Sequence, residues 1–274
     1  MKVIDFRVRP PFGSYLTCGL YDVNIAQAWT KRLQVSIADS MINKSMEMCI
    51  QEMDNANVVK GVVPVRKSSG GNNTDFTALA EQYPNRFIGF AGIDPLVDDY
   101  NFEIENNIIN GSFSGVIMEP GYCKKPLYAD NEVFFPIYEK CQENNIPILL
   151  SFGGLIGPNH SYSKPIYIDN IAATFPKLKI VIGHAAWPFA TEMAHVAFCK
   201  ENVYMSPDIY LINAPGFKTY IDAANFLYDK VIFASAYPGV PMQEAINFYK
   251  TCGIKEEYHQ YIFYKNAAKV LGIE

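Results

Sequence analysis

The stretch Lys179-Ile180-Val181-Ile182-Gly183 is a short apolar, β-branched run, a pattern typical of a strand that is buried on both faces. Seven further runs of this kind recur along the chain, separated by longer amphipathic segments. The eight predicted strands are Lys2–Phe6, Val58–Val65, Phe87–Ile93, Gly115–Glu119, Pro147–Phe152, Lys179–Gly183, Asn202–Ser206 and Lys230–Ser235. From the third strand onward they begin about 20 to 35 residues apart, which is the length of one strand–helix unit.

The alternation of strands and helices predicts parallel strands covered by helices. Eight repeats favour a closed barrel over an open doubly wound sheet of five or six strands. The sequence contains no GxGxxG or GxxxxGK[ST] motif, which disfavours a Rossmann dehydrogenase and a P-loop enzyme. We therefore predict an α/β fold, a single (β/α)8 TIM-barrel domain over residues 1–274.

The segments between the strands carry helix signals, and two of them are long. Met41–Asn55 and Glu132–Asn144 carry such signals and are predicted to be helical. Residues 10–39, after the first strand, and residues 67–73, after the second, are too long to be simple connections. Both follow the carboxyl end of a strand, where the mouth of a barrel lies. We predict that the first forms a cap or lid, and that the second is either a mobile loop at the mouth or a solvated insertion without function.

Composition limits the classes of function. The formal net charge is -5 and the sequence has no run of Lys or Arg, which argues against nucleic-acid binding. No signal-peptide pattern and no run long enough to span a bilayer is present, so we expect a cytoplasmic protein without membrane contact. The six cysteines form no CxxC pair, which predicts reduced thiols and neither disulfides nor a thiolate zinc site.

Three charged residues alternate along the first strand and its continuation. Period-two alternation places Asp5, Arg7 and Arg9 on one face. The opposite face carries Ile4, Phe6 and Val8. Charges that point into a barrel are costly to desolvate unless they pair with one another or bind a ligand. Ion pairing of Asp5 with an arginine is one explanation, and we prefer anion binding by at least one guanidinium.

Polar residues at the ends of other predicted strands complete the candidate site. His184 follows the sixth strand and is predicted to bind a substrate carbonyl or transfer a proton, with a purely structural role as the alternative. Glu119 ends the fourth strand and is predicted to act as a base or, preferably, to pair with Arg7 or Arg9. The residues predicted to bind substrate are Asp5, Ser151, Trp187, Asp208, Ser235 and Tyr237. Candidates for an aromatic pocket wall are Tyr15, Trp29, Tyr122, Trp187 and Tyr210.

The order of these motifs resembles that of the amidohydrolase-related family. The most specific match is Phe175-Pro176-Lys177-Leu178-Lys179-Ile180-Val181-Ile182-Gly183-His184, followed by Trp187-Pro188. Further matches occur in order at Gly89–Pro95, Gly115–Pro120, Pro147–Ser151, Asn202–Tyr204, Phe233–Pro238 and Asn266–Gly272. The resemblance covers nearly the whole chain. It implies a TIM barrel with the hydrolase or decarboxylase activity of the family's lactonases and decarboxylases, and it suggests a homodimer.

The resemblance also implies where a divalent metal would bind. The family's ligands are two histidines in an Ile-Asp-x-His-x-His first strand, a histidine on the fifth strand and an aspartate on the eighth. The matching residues here are Arg7, Arg9, Ser151 and Ala236. A protonated arginine cannot ligate a cation and alanine has no donor atom, so we predict no metal cofactor. The hypothesis that we rank last is a site for zinc or another divalent metal formed by a rearranged set of ligands, namely His184, Glu119 and Asp208.

Two hypotheses of function follow from this divergence. The first is a metal-independent hydrolase or lyase that acts on a small anionic carboxylate or lactone. Arg7 and Arg9 would supply the positive charge of the lost cation, and His184, with Glu119, would transfer protons. The alternative is a catalytically inactive barrel that binds an anionic metabolite, which the loss of the eighth-strand acid at Ala236 favours.

Overall fold

The computed structural model describes residues 1–154 and 157–273. Seven parallel strands form one sheet in which each strand pairs with the next along the chain. They are β1 Val3–Asp5, β2 Val58–Pro64, β3 Phe87–Gly92, β4 Phe113–Met118, β5 Ile148–Ser151, β6 Ile180–Gly183 and β7 Val203–Ser206. Since all seven run in the same direction, their carboxyl ends meet at one end of the sheet.

The segment 230–237 joins the two edges of this sheet, although it forms no regular strand. Val231 bridges Met205 of β7, and Tyr237 bridges Val8 just beyond β1, both in parallel. This segment therefore takes the place of the eighth predicted strand between β7 and β1. The predicted (β/α)8 TIM-barrel architecture is confirmed.

Helices cover the outside of the sheet. In the described part of the chain they are α1 Val23–Leu33, α2 Asp39–Asn43, α3 Met46–Asn55, α4 Asn73–Gln82, α5 Tyr100–Ile104, α6 Phe135–Glu143, α7 Ile166–Thr174, α8 Ala190–Cys199, α9 Phe217–Phe226, α10 Met242–Thr251 and α11 Asn266–Leu271. Among the described residues, no helix has the length and apolar character needed to cross a membrane.

The stretch Met41–Asn55, predicted to be helical, is divided between α2 and α3. The chain breaks between α2 and α3 because Lys44 adopts a left-handed conformation, with φ at 50°. Ser45 then caps α3, since its side chain accepts a hydrogen bond from the Met48 amide. The helix predicted over Glu132–Asn144 is confirmed, with a 3-10 turn as its first three residues.

Two apolar clusters divide the core. One takes side chains from the barrel strands and α11 and fills the barrel interior: Ile4, Phe6, Val62, Ile88, Phe90, Ile117, Leu149, Val181, Tyr204, Ile232, Ala234, Ala267, Ala268 and Val270. The larger cluster, which contains Val8, packs the sheet against the helices. Ile4 and Phe6 therefore lie on the other side of the sheet from Val8, and the strict alternation predicted for the first strand is wrong. The regular strand ends at Asp5 and the chain bends at Phe6, which shifts the phase of the residues that follow.

The insertion over residues 10–39 contains two 3-10 turns and α1. It is attached to the barrel at both ends. The Ser14 amide donates to Asp75 Oδ2 of α4 at 2.9 Å, and the Ser36 amide donates to Glu244 Oε2 of α10 at 3.0 Å. Thr17 also donates to the backbone carbonyl of Ser69, so the insertion contacts the loop that follows β2.

Candidate functional site

A pocket of about 300 Å³ opens at the carboxyl ends of the strands. Part of the pocket wall consists of barrel residues that follow the strands: Arg9, Arg66, Ser69, Tyr122, His184, Ile209, Tyr210 and Ala236. The insertion supplies the remainder: Cys18, Gly19, Leu20, Ile25 and Trp29. The candidate site therefore lies between the barrel mouth and the segment that the sequence predicts to be its cap.

Three neighbouring segments leave the barrel through left-handed backbone at this end. The φ angles are 66° at His184, 44° at Asp208 and 56° at Ala236. Each costs a residue with a Cβ about 1–2 kcal/mol, and such strain concentrates at functional sites. Two of these three residues, His184 and Asp208, form a hydrogen-bonded pair through their side chains.

His184 and Asp208 contact each other through both backbone and ring. The Asp208 carboxylate accepts from the His184 amide at 3.2 Å, and its two oxygens lie 2.9 and 3.0 Å from Nδ1 of the ring. A carboxylate at Nδ1 selects the tautomer with the proton on Nδ1, which leaves Nε2 as a proton acceptor. Burial lowers the pKa of His184 to about 4, Asp208 opposes this shift, and the charge of Arg7 adds to it. The ring is therefore neutral at pH 7.

Arg7 lies beneath this pair and not at the pocket wall. Its Nε is 3.9 Å from Asp208 Oδ2, and its Nη2 donates to Ser151 Oγ at 3.4 Å. Nε and Nη1 have no hydrogen-bond acceptor among the described residues, although the side chain is only 2% exposed. Burial lowers the pKa of Arg7 to about 10, so the guanidinium stays charged at neutral pH. Arg7 thus acts on the site through its charge.

Arg9 is the arginine of the first strand that reaches the pocket. It is 6% exposed, and its Nε has no hydrogen-bond acceptor among the described residues. Its backbone carbonyl accepts from the Tyr21 hydroxyl at 2.6 Å, which fixes the main chain at this point. In the described chain the Arg9 guanidinium forms no ion pair with an acidic side chain. The pocket wall therefore carries a positive charge without a protein counter-ion.

Glu119 pairs with neither of these arginines, contrary to expectation. Its Oε1 accepts from Arg66 Nε at 2.6 Å, and its Oε2 accepts from the Ser68 amide at 3.1 Å. Burial alone would raise the pKa of Glu119, but Arg66 and Ser68 outweigh burial and lower it below its usual range. Both of its oxygens accept from protein donors, so Glu119 is not placed to accept a proton from a substrate. Arg66, which lines the pocket, was missed by the sequence analysis, although it directly follows the β2 run.

Asp5, Ser235 and Tyr237 do not reach the pocket. All three are fully buried, and Asp5 accepts hydrogen bonds from the Ser235 amide and from the Arg7 amide at 2.9 and 3.2 Å. Burial raises the pKa of Asp5 to about 7, and hydrogen bonds from Ser235 limit the shift. The Tyr237 hydroxyl contacts Ser40 Oγ at 2.7 Å. This geometry does not support the predicted substrate contacts. The three residues instead stabilise the segment that contains Ala236.

Ser151 and Trp187 lie behind the wall as well. Ser151 is fully buried and accepts from Arg7. Trp187 stacks on Tyr210 with ring centroids 4.8 Å apart, and its Nε1 donates to the Pro215 carbonyl at 2.8 Å. Tyr210 in turn meets the His184 ring edge-on at 5.2 Å. Trp187 therefore positions an aromatic side chain of the pocket, and of the predicted aromatic set the wall contains Trp29, Tyr122 and Tyr210.

The side chains at this site do not fit a divalent metal. Over residues 1–154 and 157–273, no group of three His, Cys, Asp or Glu side chains is placed to hold an ion. The rearranged set is not assembled, because Glu119 is bound by Arg66 and Ser68 while Asp208 is bound by His184. Arg9 and Arg66 present only donors to the pocket. That the protein works without a metal stays a prediction.

Comparison with known proteins places this geometry in context. Residues 41–273 match the family model described as Amidohydrolase. Among curated proteins, none matches the sequence. An uncharacterised TIM-barrel protein from Bordetella bronchiseptica is 35% identical, with a TM-score of 0.92 over 100% of this chain and 99% of that chain.

Two more distant structures share the fold. A dihydroxybenzoic acid decarboxylase from a Polaromonas species, with bound manganese and the inhibitor 2-nitroresorcinol, is 16% identical with a TM-score of 0.69, over 99% of this chain and 97% of that chain. A probable 2-pyrone-4,6-dicarboxylic acid hydrolase from Acinetobacter baumannii, with bound citric acid, is 14% identical with a TM-score of 0.68, over 99% and 100%.

Proposed function

The chain belongs to the amidohydrolase family, and on that basis we propose that it is an enzyme acting on a small anionic carboxylate or lactone without a divalent metal. One observation carries the proposal: the Arg9 guanidinium, which forms no ion pair with an acidic side chain in the described part of the chain, lines the same pocket as the neutral His184. A cation and a proton acceptor are the two groups that a catalytic metal centre with its bound water would otherwise provide.

Arg9 is the proposed anion-binding residue. A guanidinium matches a carboxylate in a two-point contact, and burial strengthens such a contact because water competes less. Arg66 lies in the same wall, but Glu119 already balances its charge. Likewise, Asp208 balances the charge of Arg7, since its Oδ2 lies 3.9 Å from Arg7 Nε. Of these three guanidiniums, Arg9 is the one without an ion-pair partner among the described residues, which favours a substrate with a carboxylate near Arg9.

His184 is the proposed proton-transfer residue. In hydrolysis of a lactone, Nε2 would accept a proton from water as the water oxygen bonds to the carbonyl carbon. The ring C–O bond would then break, and the same proton would pass from Nε2 to the leaving oxygen. Asp208 would hold the tautomer and stabilise the imidazolium, and Arg9 would stabilise the developing oxyanion. We favour hydrolysis over decarboxylation, because the tautomer selected by Asp208 leaves Nε2 free to accept a proton, whereas decarboxylation requires an acid that protonates carbon.

The relatives support this class of substrate. One structure of the same fold is described as a decarboxylase of a dihydroxybenzoic acid and another as a probable hydrolase of a pyrone dicarboxylic acid. Both descriptions concern carboxylates. The second of our hypotheses, a binding protein without turnover, is favoured by Ala236, whose methyl group lines the pocket where the family's aspartate is expected.

The test combines binding and turnover. Chelator-treated protein is assayed for its metal content and for turnover of lactones and of aromatic and unsaturated carboxylates, with and without zinc or manganese. We expect metal-free turnover that His184→Ala abolishes and that Arg9→Gln lowers at least tenfold. Arg32→Gln, an exposed arginine of the same insertion, is the matched control. Turnover that requires one metal per chain would refute the proposal, whereas carboxylate binding without turnover would establish the binding protein.

Three further expectations belong to this proposal: the insertion over residues 10–39 acts as a cap, the protein is cytoplasmic, and two copies form a homodimer. Sedimentation analysis of the purified protein tests the last of these. A single species with the mass of one 30.8 kDa chain would contradict it.

A further inference from the structure

Cys18 places a thiol in the wall of the same pocket, and the mechanism above does not use it. The residue lies in the insertion between the two 3-10 turns and is 7% exposed. It lines the pocket together with Arg9, His184 and Ala236. A nucleophilic atom thus lies beside a cation at the proposed substrate site.

Arg9 provides a second and independent observation. Its side chain is more than nine-tenths buried at 6% exposure, lines the same pocket, and has an Nε without a hydrogen-bond acceptor among the described residues. An unpaired guanidinium in a pocket wall points to an anionic ligand. Both residues line this one cavity and the charge of Arg9 acts on the Cys18 thiol, so a ligand bound at Arg9 shares the cavity with that thiol.

The same charge distinguishes Cys18 from other thiols of the chain. Burial by itself would raise the pKa of Cys18, but the charge of Arg9 and the Leu20 amide outweigh it and lower the pKa below its usual range. Burial raises the pKa of four others: Cys49, Cys123, Cys141 and Cys252. Since the thiolate is the reactive form, the contrast agrees with the geometry in selecting Cys18.

We propose that Cys18 is a modification site for small electrophiles that carry a carboxylate, with Arg9 binding the carboxylate while the sulfur attacks the electrophilic carbon. With a 2-halocarboxylate, the S–C bond forms as the carbon–halogen bond breaks, the halide leaves with the electron pair, and the thiol proton passes to solvent. With an unsaturated carboxylate, sulfur bonds to the β carbon and water protonates the α carbon. Either adduct holds its carboxylate at Arg9, so modification blocks the binding of another anion there. The inference rests on the anion-binding part of the proposed function and not on turnover.

The test compares iodoacetate with iodoacetamide on the full-length protein. The two reagents deliver similar groups to sulfur, but only iodoacetate carries a carboxylate. Mass spectrometry of peptides gives the alkylation rate at each cysteine, and the exposed Cys199 serves as the internal reference. We expect the ratio of the iodoacetate rate to the iodoacetamide rate to be at least tenfold higher at Cys18 than at Cys199. Arg9→Gln should bring the two ratios together, and Arg32→Gln should leave them unchanged.

Arg9→Lys, which keeps the charge, guards against misfolding of the Arg9→Gln protein and should retain a raised ratio. Equal ratios at Cys18 and Cys199, a preference that survives Arg9→Gln, or no alkylation of Cys18 by either reagent would each overturn the inference. Calorimetry separates this result from the proposed function. If Arg9→Gln weakens carboxylate binding while Cys18 shows no preference, anion binding stands and the modification site does not.

Discussion

Replacing Asp208 by asparagine removes the carboxylate that faces both Arg7 and His184. The Arg7 Nε to Asp208 Oδ2 distance is 3.9 Å, and the side chains are 2% and 0% exposed. At that distance the Coulomb attraction is about 4 kcal/mol for an effective dielectric constant of about 20. Removing one partner of a buried pair leaves the other charge uncompensated, so we expect Asp208→Asn to lower the free energy of unfolding by roughly 3–5 kcal/mol.

A double-mutant cycle with Arg7→Met isolates the interaction between the two charges. The double variant contains neither charge, so its loss of stability should be smaller than the sum of the two single losses by about 2–4 kcal/mol. Urea unfolding followed by circular dichroism measures all four proteins. A coupling energy within about 0.5 kcal/mol of zero would mean that the two charges do not interact and would refute the reasoning.

Arg7→Met has a second expected effect, on His184. Burial lowers the pKa of His184 to about 4, and the charge of Arg7 contributes to that shift. Without Arg7, one of the two arginines that lower this pKa is removed while Asp208 still raises it, so the pKa of His184 should rise. The chain has four histidines, which makes titration of the ring signals by NMR practical. An unchanged His184 titration in Arg7→Met protein would show that Arg7 does not tune this ring.

The other predictions concern pH and packing. If His184 is the proton acceptor, the pH profile of kcat/KM should stay level down to about pH 5 and fall below it as the ring protonates near its pKa of about 4; a fall centred near 6.5 would contradict this. Asp5 has a folded pKa of about 7, raised from 3.8, so the folded state binds more protons and stability decreases as pH rises from about 4 to 7. In the wild type this decrease in the free energy of unfolding should be on the order of 4 kcal/mol, and in Asp5→Asn protein it should be absent. Urea unfolding of both proteins at pH 4.5 and 8 measures the difference. Gly154→Ala would place a Cβ 2.0 Å from the Tyr210 hydroxyl at φ 66°, whereas Gly216→Ala at φ 82° meets nothing within 4 Å. The first should cost roughly 3 kcal/mol or more and the second about 1 kcal/mol, and equal losses in thermal unfolding would argue against the close approach.

The sequence alone determined the barrel and its order of strands. Strands of a parallel barrel are covered on both faces, so they appear as short apolar runs such as Ile180–Gly183 that can be recognised without a partner. The carboxyl ends of parallel strands meet at the mouth, and this rule brings Arg9 and His184 into one pocket. Both inferences depend only on local composition and on chain direction, and the sequence contains this information without any knowledge of tertiary contacts.

Tertiary structure alone decided which charged groups meet and which thiol lines the pocket. Glu119 pairs with Arg66 and not with Arg7 or Arg9, because the choice among several arginines depends on distances across neighbouring strands. The bend at Phe6 interrupts the predicted alternation, so Ile4 and Phe6 lie in the barrel interior while Val8 packs on the other side of the sheet. Cys18 reaches the pocket only through the path of the insertion, which no periodicity encodes.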